Sequence, residues 1–167
     1  MENEGFICEN CNSQVDELAK YCPECGLLFE KNILCSNHPD EEAEGVCIIC
    51  NIPYCHKCGM QVNRGYSNDI FLCEEHSNYE IIESMVRVYG TFDDVQVQYV
   101  SDCLEKAGLH PFLFFRKVSP LHLGGMNFTL YESSGDFNGH CNNEDKIMVS
   151  CNEVIQAESI LKEILSE

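Results

Sequence analysis

The chain has 167 residues, of which 10 are basic and 28 are acidic, so its formal net charge is −18 with neutral histidines. This length allows one or two small domains. Nucleic-acid binding draws most of its affinity from neutralising phosphates, so the acidic excess argues against a nucleic-acid partner. Anionic membrane surfaces are disfavoured for the same reason. The sequence also contains no apolar run approaching the roughly 18 residues of a membrane span.

Cysteine usage indicates the cellular setting. Thirteen residues are cysteines, and the first residues are acidic, without the basic and apolar regions of a secretory signal. We therefore expect a cytoplasmic protein, in which closely spaced cysteines bind metal rather than form disulfides. A secreted scaffold held by disulfides is the alternative.

The first two cysteine pairs, Cys8-x2-Cys11 and Cys22-x2-Cys25, are separated by ten residues. Two such knuckles, each at the tip of a short hairpin, bind one zinc ion in a zinc ribbon. The segment Cys22-Pro-Glu-Cys-Gly resembles the second knuckle of zinc ribbons and rubredoxins. A rubredoxin holds iron in four thiolates, but its knuckles lie much farther apart in sequence, so we favour zinc. Because residues 1–31 offer few apolar side chains, the metal is expected to supply stability that the core cannot.

Four further pairs of potential ligands follow within 42 residues: Cys35-x2-His38, Cys47-x2-Cys50, Cys55-x2-Cys58 and Cys73-x2-His76. Eight such residues suffice for two tetrahedral zinc ions. The spacing permits either sequential pairing, in which neighbouring pairs share an ion, or interleaved pairing. A zinc ion with four protein ligands has no open position for water, so all three predicted zinc ions are structural and no enzyme activity is expected.

The order of these pairs, with Pro39 directly after His38, resembles the B-box zinc fingers, particularly the compact prokaryotic versions. The resemblance implies interleaved pairing with a cross-brace. One zinc would bind the first and third pairs, which are Cys35, His38, Cys55 and Cys58. The other would bind the second and fourth pairs, which are Cys47, Cys50, Cys73 and His76. The chain departs from many eukaryotic relatives in the fourteen residues between Cys58 and Cys73 and in its final Cys-x2-His pair.

Each Cys-x2-Cys knuckle is followed by asparagine or glycine: Asn12, Gly26, Asn51 and Gly59. These residues adopt left-handed backbone more readily than others, and a knuckle turns away after its second thiolate through such a position. We therefore expect a positive φ at all four. Tyr66 and Phe71 are expected to pack around a zinc site, and His56, inside a knuckle, to point away from the ion.

Beyond residue 80 the hydrophobic pattern predicts strands at Met85–Tyr89, Pro111–Val118, Met126–Tyr131 and Ile147–Val149. A helix capped by Thr91 or Asp93 and ended by Gly108 is expected to bury Val97, Val100, Leu104 and Ala107. A second helix, starting near Asn152, is expected to bury Ala157, Ile160, Leu161, Ile164 and Leu165. The predicted fold class is α+β, with zinc modules followed by a ferredoxin-like α/β sandwich that has both helices on one sheet face.

Parts of this half resemble a small prokaryotic signal-transducing domain that is compared with the PII regulators on fold grounds. They are Val86-x-Val-Tyr89, Leu104-x3-Gly108, Gly124-Gly125 and Ile147-Met-Val149. The resemblance implies a ferredoxin-like domain with a regulatory role. PII regulators bind nucleotide phosphates through basic side chains, whereas residues 80–167 contain six such side chains, so a small-molecule ligand is not indicated.

These patterns predict a zinc ribbon at 1–31, a double-zinc module at 32–79 and a ferredoxin-like domain at 80–167. The predicted function is that of a non-catalytic adaptor with a protein partner, bound at the sheet face opposite the helices or near Gly124-Gly125. One alternative is a thiol-redox or metal sensor that uses Cys103, Cys141 and Cys151. Nucleic-acid binding, which the acidic charge disfavours, is another.

Overall fold

The structure is a computed structural model that describes residues 5–63, 68–82, 84–115 and 144–165. It contains both helices and short strands, which confirms a mixed α and β fold, whereas the ferredoxin-like class stays a prediction. The chain divides into two compact units, Met1–Asn78 and Tyr79–Glu167. The finer division at residues 31 and 79 also stays a prediction. In the part of the chain that is described, neither α-helix combines the length and hydropathy needed to cross a bilayer.

The first unit is built from three two-stranded antiparallel ladders. The strands are β1 (Gly5–Ile7) with β2 (Gln14–Asp16), β3 (Gly45–Val46) with β4 (Pro53–Tyr54), and β5 (Gly59–Val62) with β6 (Ile70–Cys73). Strands this short bury few side chains, and seven of the buried apolar positions in this unit are cysteines: Cys8, Cys22, Cys25, Cys35, Cys47, Cys55 and Cys73. Metal sites are therefore well placed to supply stability that the small core does not.

The predicted left-handed turns occur after three of the four knuckles. Asn12 has φ 57°, Asn51 has φ 57° and Gly26 has φ 79°. The prediction is wrong for Gly59, which begins strand β5 and has no positive φ. The reason for glycine there is space, because a Cβ atom would lie 2.6 Å from the aromatic ring of Phe71.

Among the described residues, the second unit contains a four-stranded antiparallel sheet. Its strands are β7 (Ile81–Ile82), β8 (Met85–Thr91), β9 (Phe112–Phe115) and β10 (Asp145–Ser150), in the spatial order β7-β8-β10-β9. β7 was not predicted, and β8 extends two residues beyond its prediction. Gly124-Gly125 and the predicted strand Met126–Tyr131 lie outside the described residues.

Two helices pack against β8, β10 and each other, which places both on one sheet face: α1 (Asp94–Lys106) and α2 (Val154–Leu165). Asp93 caps α1 by accepting hydrogen bonds from the backbone N–H groups of Val95 and Gln96, and Gly108 follows the helix with φ 85°. Both features agree with the sequence prediction.

The helices bury most, but not all, of the predicted side chains. Val97, Val100, Leu104, Ala157 and Leu161 are buried, and Ile160 and Ile164 are half-buried. Two predictions are wrong. Ala107 is exposed because α1 ends one residue before it, and Leu165 is 52% exposed at the last residue of α2.

A network of ion pairs joins β8 and β10 to the residue that precedes β7. Arg87 Nη2 lies 2.5 Å from Glu144 Oε1, and Lys146 Nζ lies 2.7 Å from Glu80 Oε1. The Glu144 side chain is 3% exposed and that of Arg87 is 13% exposed. Charges so well buried require partners, and here each carboxylate faces a cation.

Candidate metal centres

Twelve side chains form three groups of four, which we name the first, second and third tetrads in chain order. The first tetrad contains Cys8, Cys11, Cys22 and Cys25. The second contains Cys35, His38, Cys55 and Cys58, and the third contains Cys47, Cys50, Cys73 and His76. Within each tetrad the four donor atoms all lie within 4.8 Å of one another.

The first tetrad is assembled by two knuckles. In the first knuckle, between β1 and β2, the Asn12 N–H donates to the Cys8 carbonyl oxygen at 2.9 Å. In the second, the Gly26 N–H donates to the Cys22 carbonyl oxygen at 2.8 Å. The Sγ atoms of Cys8 and Cys25 are 3.7 Å apart, and those of Cys11 and Cys22 are 3.4 Å apart.

The second tetrad gathers around the imidazole of His38. Its Nδ1 atom lies 3.8 Å from the Sγ of Cys35, 3.4 Å from that of Cys55 and 3.3 Å from that of Cys58. The knuckle from Cys55 to Cys58 is closed by the Gly59 N–H, which donates to the Cys55 carbonyl oxygen at 3.1 Å.

The third tetrad gathers around His76, in a short 3-10 turn that follows β6. Its Nδ1 atom lies 3.5 Å from the Sγ of Cys47 and 3.1 Å from that of Cys73. The Asn51 N–H donates to the Cys47 carbonyl oxygen at 2.8 Å and closes the knuckle that carries Cys50. As in the second tetrad, the histidine presents Nδ1 to the cluster.

The measured separations fit a tetrahedral metal ion. With Zn–S bonds of ~2.3 Å and Zn–N bonds of ~2.0–2.1 Å, tetrahedral geometry places sulfur atoms about 3.8 Å apart and sulfur and nitrogen about 3.5 Å apart. The separations given above span 3.1 to 3.8 Å. All three tetrads could therefore hold metal ions. The second tetrad combines the pairs Cys35/His38 and Cys55/Cys58, and the third combines Cys47/Cys50 and Cys73/His76. This is the interleaved grouping.

Close packing of the thiols shifts their pKa values in opposite directions. In the third tetrad, a hydrogen bond with Cys50 lowers the pKa of Cys47 to about 3, and the same contact raises the pKa of Cys50. Burial raises the pKa of Cys25 to about 11 in the first tetrad, and it raises the pKa of Cys55 in the second. Thiols with raised pKa values keep their protons at neutral pH. Because metal ligands must be deprotonated, a bound cation would displace these protons.

The second tetrad is more accessible than the other two. Both His38 and Cys58 are half-buried there, whereas the first and third tetrads each have a single half-buried member, Cys11 and Cys50. Beside the second tetrad, Lys57 forms an ion pair with Glu41, and this pairing lowers the pKa of the Glu41 carboxyl group. The sequence motifs do not indicate this pair, because its partners are sixteen residues apart with no repeated spacing.

The remaining predicted residues lie apart from the tetrads. His56 is exposed, in agreement with its predicted direction away from the site. Cys103 is half-buried on α1, and the half-buried Cys151 donates from Sγ to the Ser84 carbonyl oxygen at 3.2 Å. Neither belongs to a group of three or more potential metal ligands among the described residues. Tyr66 and Cys141 lie outside the described residues.

The second unit has an apolar concavity of about 400 Å³ that no sequence motif indicates. It is lined by Ile82, Met85, Phe112, Phe114 and Met148. Successive side chains of a strand point to opposite faces, so Met148 faces away from its buried neighbours Ile147 and Val149. We therefore assign the concavity to the sheet face opposite the helices. The alternation of side chains along β10 identifies this face only when the order of the strands in the sheet is known.

No family model, curated protein or solved structure matches the chain in comparisons with known proteins. The resemblances to zinc ribbons, B-box fingers and the signal-transducing domain therefore depend on the motifs alone.

Proposed function

We propose that this protein is a non-catalytic zinc-binding adaptor that recognises a protein partner and acts in regulation. The observation that carries the proposal is the completeness of the tetrads, since each supplies four protein donor atoms around one point. A catalytic zinc keeps a position open for water or substrate, whereas a structural zinc is enclosed by four protein ligands. Three enclosed ions would hold the short strands of the first unit in place.

Zinc is the metal that the donor sets favour. One tetrad offers four thiolates and the other two each offer three thiolates and one imidazole. Tetrahedral sites rich in thiolate select zinc or iron–sulfur chemistry over magnesium or calcium, which prefer oxygen ligands. Mixed thiolate and imidazole sets are typical of structural zinc.

A protein partner is supported by the surface of the second unit. The concavity on the sheet face is lined by apolar side chains, and Phe112 at its edge is 58% exposed. An apolar concavity with an exposed aromatic side chain at its edge is the part of this unit that we assign to the partner. The net charge of −18 works against nucleic acid as the partner.

Metal analysis of the purified full chain tests the zinc part of the proposal. We expect three zinc ions per chain and three thiols that react without denaturation, Cys103, Cys141 and Cys151. Stoichiometric iron, or failure of a chelator to remove any metal, would contradict the proposal. A reversible disulfide between Cys141 and Cys151 would favour the thiol-redox alternative.

Affinity capture with a matched pair of variants tests the adaptor part. We expect Phe112→Asp to lose a partner that the wild-type chain retains, because a carboxylate would be placed beside the apolar concavity. Leu165→Asp is the control, since Leu165 is also exposed, at 52%, but belongs to α2 on the other sheet face. Equal loss in both variants, or retention in both, would contradict the assigned surface.

A further inference from the structure

Phe71 connects the first and third tetrads through its backbone. Its N–H donates to the carbonyl oxygen of Cys25, a member of the first tetrad, at 2.9 Å. Its own carbonyl oxygen accepts from the N–H of Ile48, the residue after Cys47, at 3.2 Å. A further hydrogen bond, from the Val46 N–H to the Gly26 carbonyl oxygen at 2.9 Å, runs beside these two.

The Phe71 side chain fills the space between three glycine backbones. The residue is 2% exposed. A Cβ atom would lie 2.4 Å from the ring at Gly45, 2.6 Å from the ring at Gly59 and 3.0 Å from the Phe71 Cβ atom at Gly26. Real Cβ atoms essentially never come within 3.0 Å of another side chain, so a residue larger than glycine at position 45 or 59 would displace the ring. We name this arrangement of Phe71 with Gly26, Gly45 and Gly59 the Phe71 junction.

The Phe71 junction joins segments that carry ligands of different tetrads. Gly26 directly follows Cys25 of the first tetrad, and Gly45 lies two residues before Cys47 of the third. Phe71 itself lies two residues before Cys73 of the third tetrad. Loss of metal from the first tetrad would release the segment around Cys25. The Phe71 and Val46 N–H groups would then lose their acceptors, next to two ligands of the third tetrad.

We propose that metal binding at the first tetrad and metal binding at the third tetrad are coupled through the Phe71 junction. The inference rests on the proposed function, because it presupposes that the tetrads bind metal. Each ion then favours the backbone arrangement that the other needs, so the first unit loads the two ions cooperatively. Coupling of this kind is reciprocal: each metal changes the affinity of the other site by the same factor, typically about 5- to 150-fold.

The test uses the full chain in buffers of controlled free zinc, with thiol alkylation read by mass spectrometry. Protection of Cys50 reports loading of the third tetrad, and protection of Cys11 reports loading of the first, since both thiols are half-buried. We expect Cys11→Ser to shift the midpoint of Cys50 protection to roughly tenfold higher free zinc. The reciprocal variant, Cys50→Ser, should shift the midpoint of Cys11 protection by the same factor.

The role of the Phe71 junction is tested by repeating the comparison in a Phe71→Ala background. We expect the effect of Cys11→Ser on Cys50 protection to diminish there, because the ring that fills the space between Gly45 and Gly59 is lost while the backbone hydrogen bonds of residue 71 can still form. Leu72→Ala is the matched control, because Leu72 is the next residue of β6, is equally buried and points to the opposite face of the ladder. That control should lower stability yet retain the shift. If Phe71→Ala does not fold, Phe71→Leu takes its place.

The outcomes separate this inference from the proposed function. An unchanged Cys50 midpoint in Cys11→Ser would overturn the coupling, and an undiminished shift in Phe71→Ala would overturn the role of the Phe71 junction. Both outcomes leave the zinc sites intact. If zinc protects none of the tetrad thiols in the wild-type chain, the proposed function itself fails.

Discussion

The ring of Phe71 lies so close to the backbone of Gly45 that a Cβ atom at position 45 would be 2.4 Å from the ring Cγ atom. Gly45 is therefore a packing requirement of β3, and it has no left-handed backbone conformation to explain it. The same ring accounts for Gly59. One aromatic side chain thus determines two glycines in segments that belong to different ladders.

Substitution of Gly45 by alanine should weaken the first unit. The added methyl group must displace the Phe71 ring, and overpacking of this kind costs about 1–3 kcal/mol. Hydrogen exchange of the Phe71 amide, which donates to Cys25, should accelerate by roughly 5- to 150-fold as the local opening free energy falls. Glu44→Ala, at the exposed neighbouring position, is the control and should leave the exchange rate nearly unchanged. Unchanged exchange in Gly45→Ala would show that the ring is not held against Gly45.

A limiting amount of chelator should remove metal from the second tetrad first. Two of its ligands, His38 and Cys58, are half-buried, so a chelator reaches this site with less unfolding than the other two require. Alkylation followed by mass spectrometry should then label Cys35, Cys55 and Cys58 before Cys8 and Cys22. Labelling of all ten tetrad cysteines at one rate would indicate loss of metal from the whole unit in a single step.

Gly90→Ala should destabilise the second unit by disturbing a buried ion pair. A Cβ atom at position 90 would lie 2.2 Å from Glu144 Oε1 and 2.5 Å from Arg87 Nη2, so the two side chains would have to move. Breaking a buried pair through one partner costs about 3–5 kcal/mol, and we expect a loss approaching that size for Glu144→Gln.

The two substitutions act on the same ion pair, so the double variant should lose less stability than the sum of the single losses. Hydrogen exchange along the β8–β10 ladder measures each free energy. Strict additivity would show that Gly90 and Glu144 act independently.

The Glu153 carboxyl group should respond to the removal of His110. Burial raises the pKa of Glu153, but the hydrogen bond with His110, whose Nδ1 lies 2.8 Å away, helps to bring it below its ordinary value. A carboxyl group whose pKa is lowered by folding stabilises the protein above its unfolded pKa, and this contribution is lost as pH falls through the folded pKa. His110→Ala should therefore raise the pKa of Glu153 and shift the acid-induced loss of stability to higher pH.

Carbon chemical shifts of the Glu153 carboxyl group, followed against pH by NMR, measure this change. Lys106→Ala removes a positive charge at the end of α1 and should leave the titration of Glu153 nearly unchanged. A titration that is the same with and without the His110 side chain would assign the lowered pKa to the hydrogen bonds with Ser150 and with the backbone at position 110 instead.

The helix cap and most of the left-handed backbone positions could be predicted from the sequence in both halves of the chain. Asp93 was among the predicted caps of α1 because a short acidic side chain accepts hydrogen bonds from the first free N–H groups of a helix. Gly108 was predicted to end it because glycine adopts positive φ without a steric cost. The same reasoning correctly predicted a positive φ at Asn12, Gly26 and Asn51. It failed for Gly59, because a glycine required for space and one required for φ look alike in sequence.

Burial at the helix ends and the order of the strands could not be predicted in the same way. Ala107 and Leu165 follow the apolar spacing of their helices, yet both are exposed at the helix ends. β7 contains two residues, too few for any periodicity. It pairs with β8 across a tight turn, Ile82 with Met85 and Ile81 with Val86, so only its shortness kept it from being predicted.

The amino-acid sequence by itself determined which twelve side chains can act as metal ligands, because a two-residue gap lets two donors reach one point whatever surrounds them. It did not decide which pairs come together, since sequential and interleaved grouping use the same spacing. Only the tertiary structure decided that, by bringing Cys55 and Cys58 to His38 and Cys73 and His76 to Cys47. It also placed Phe71 between the first and third tetrads. Its hydrogen bond with Cys25 joins residues 46 positions apart and arises only when the chain is folded.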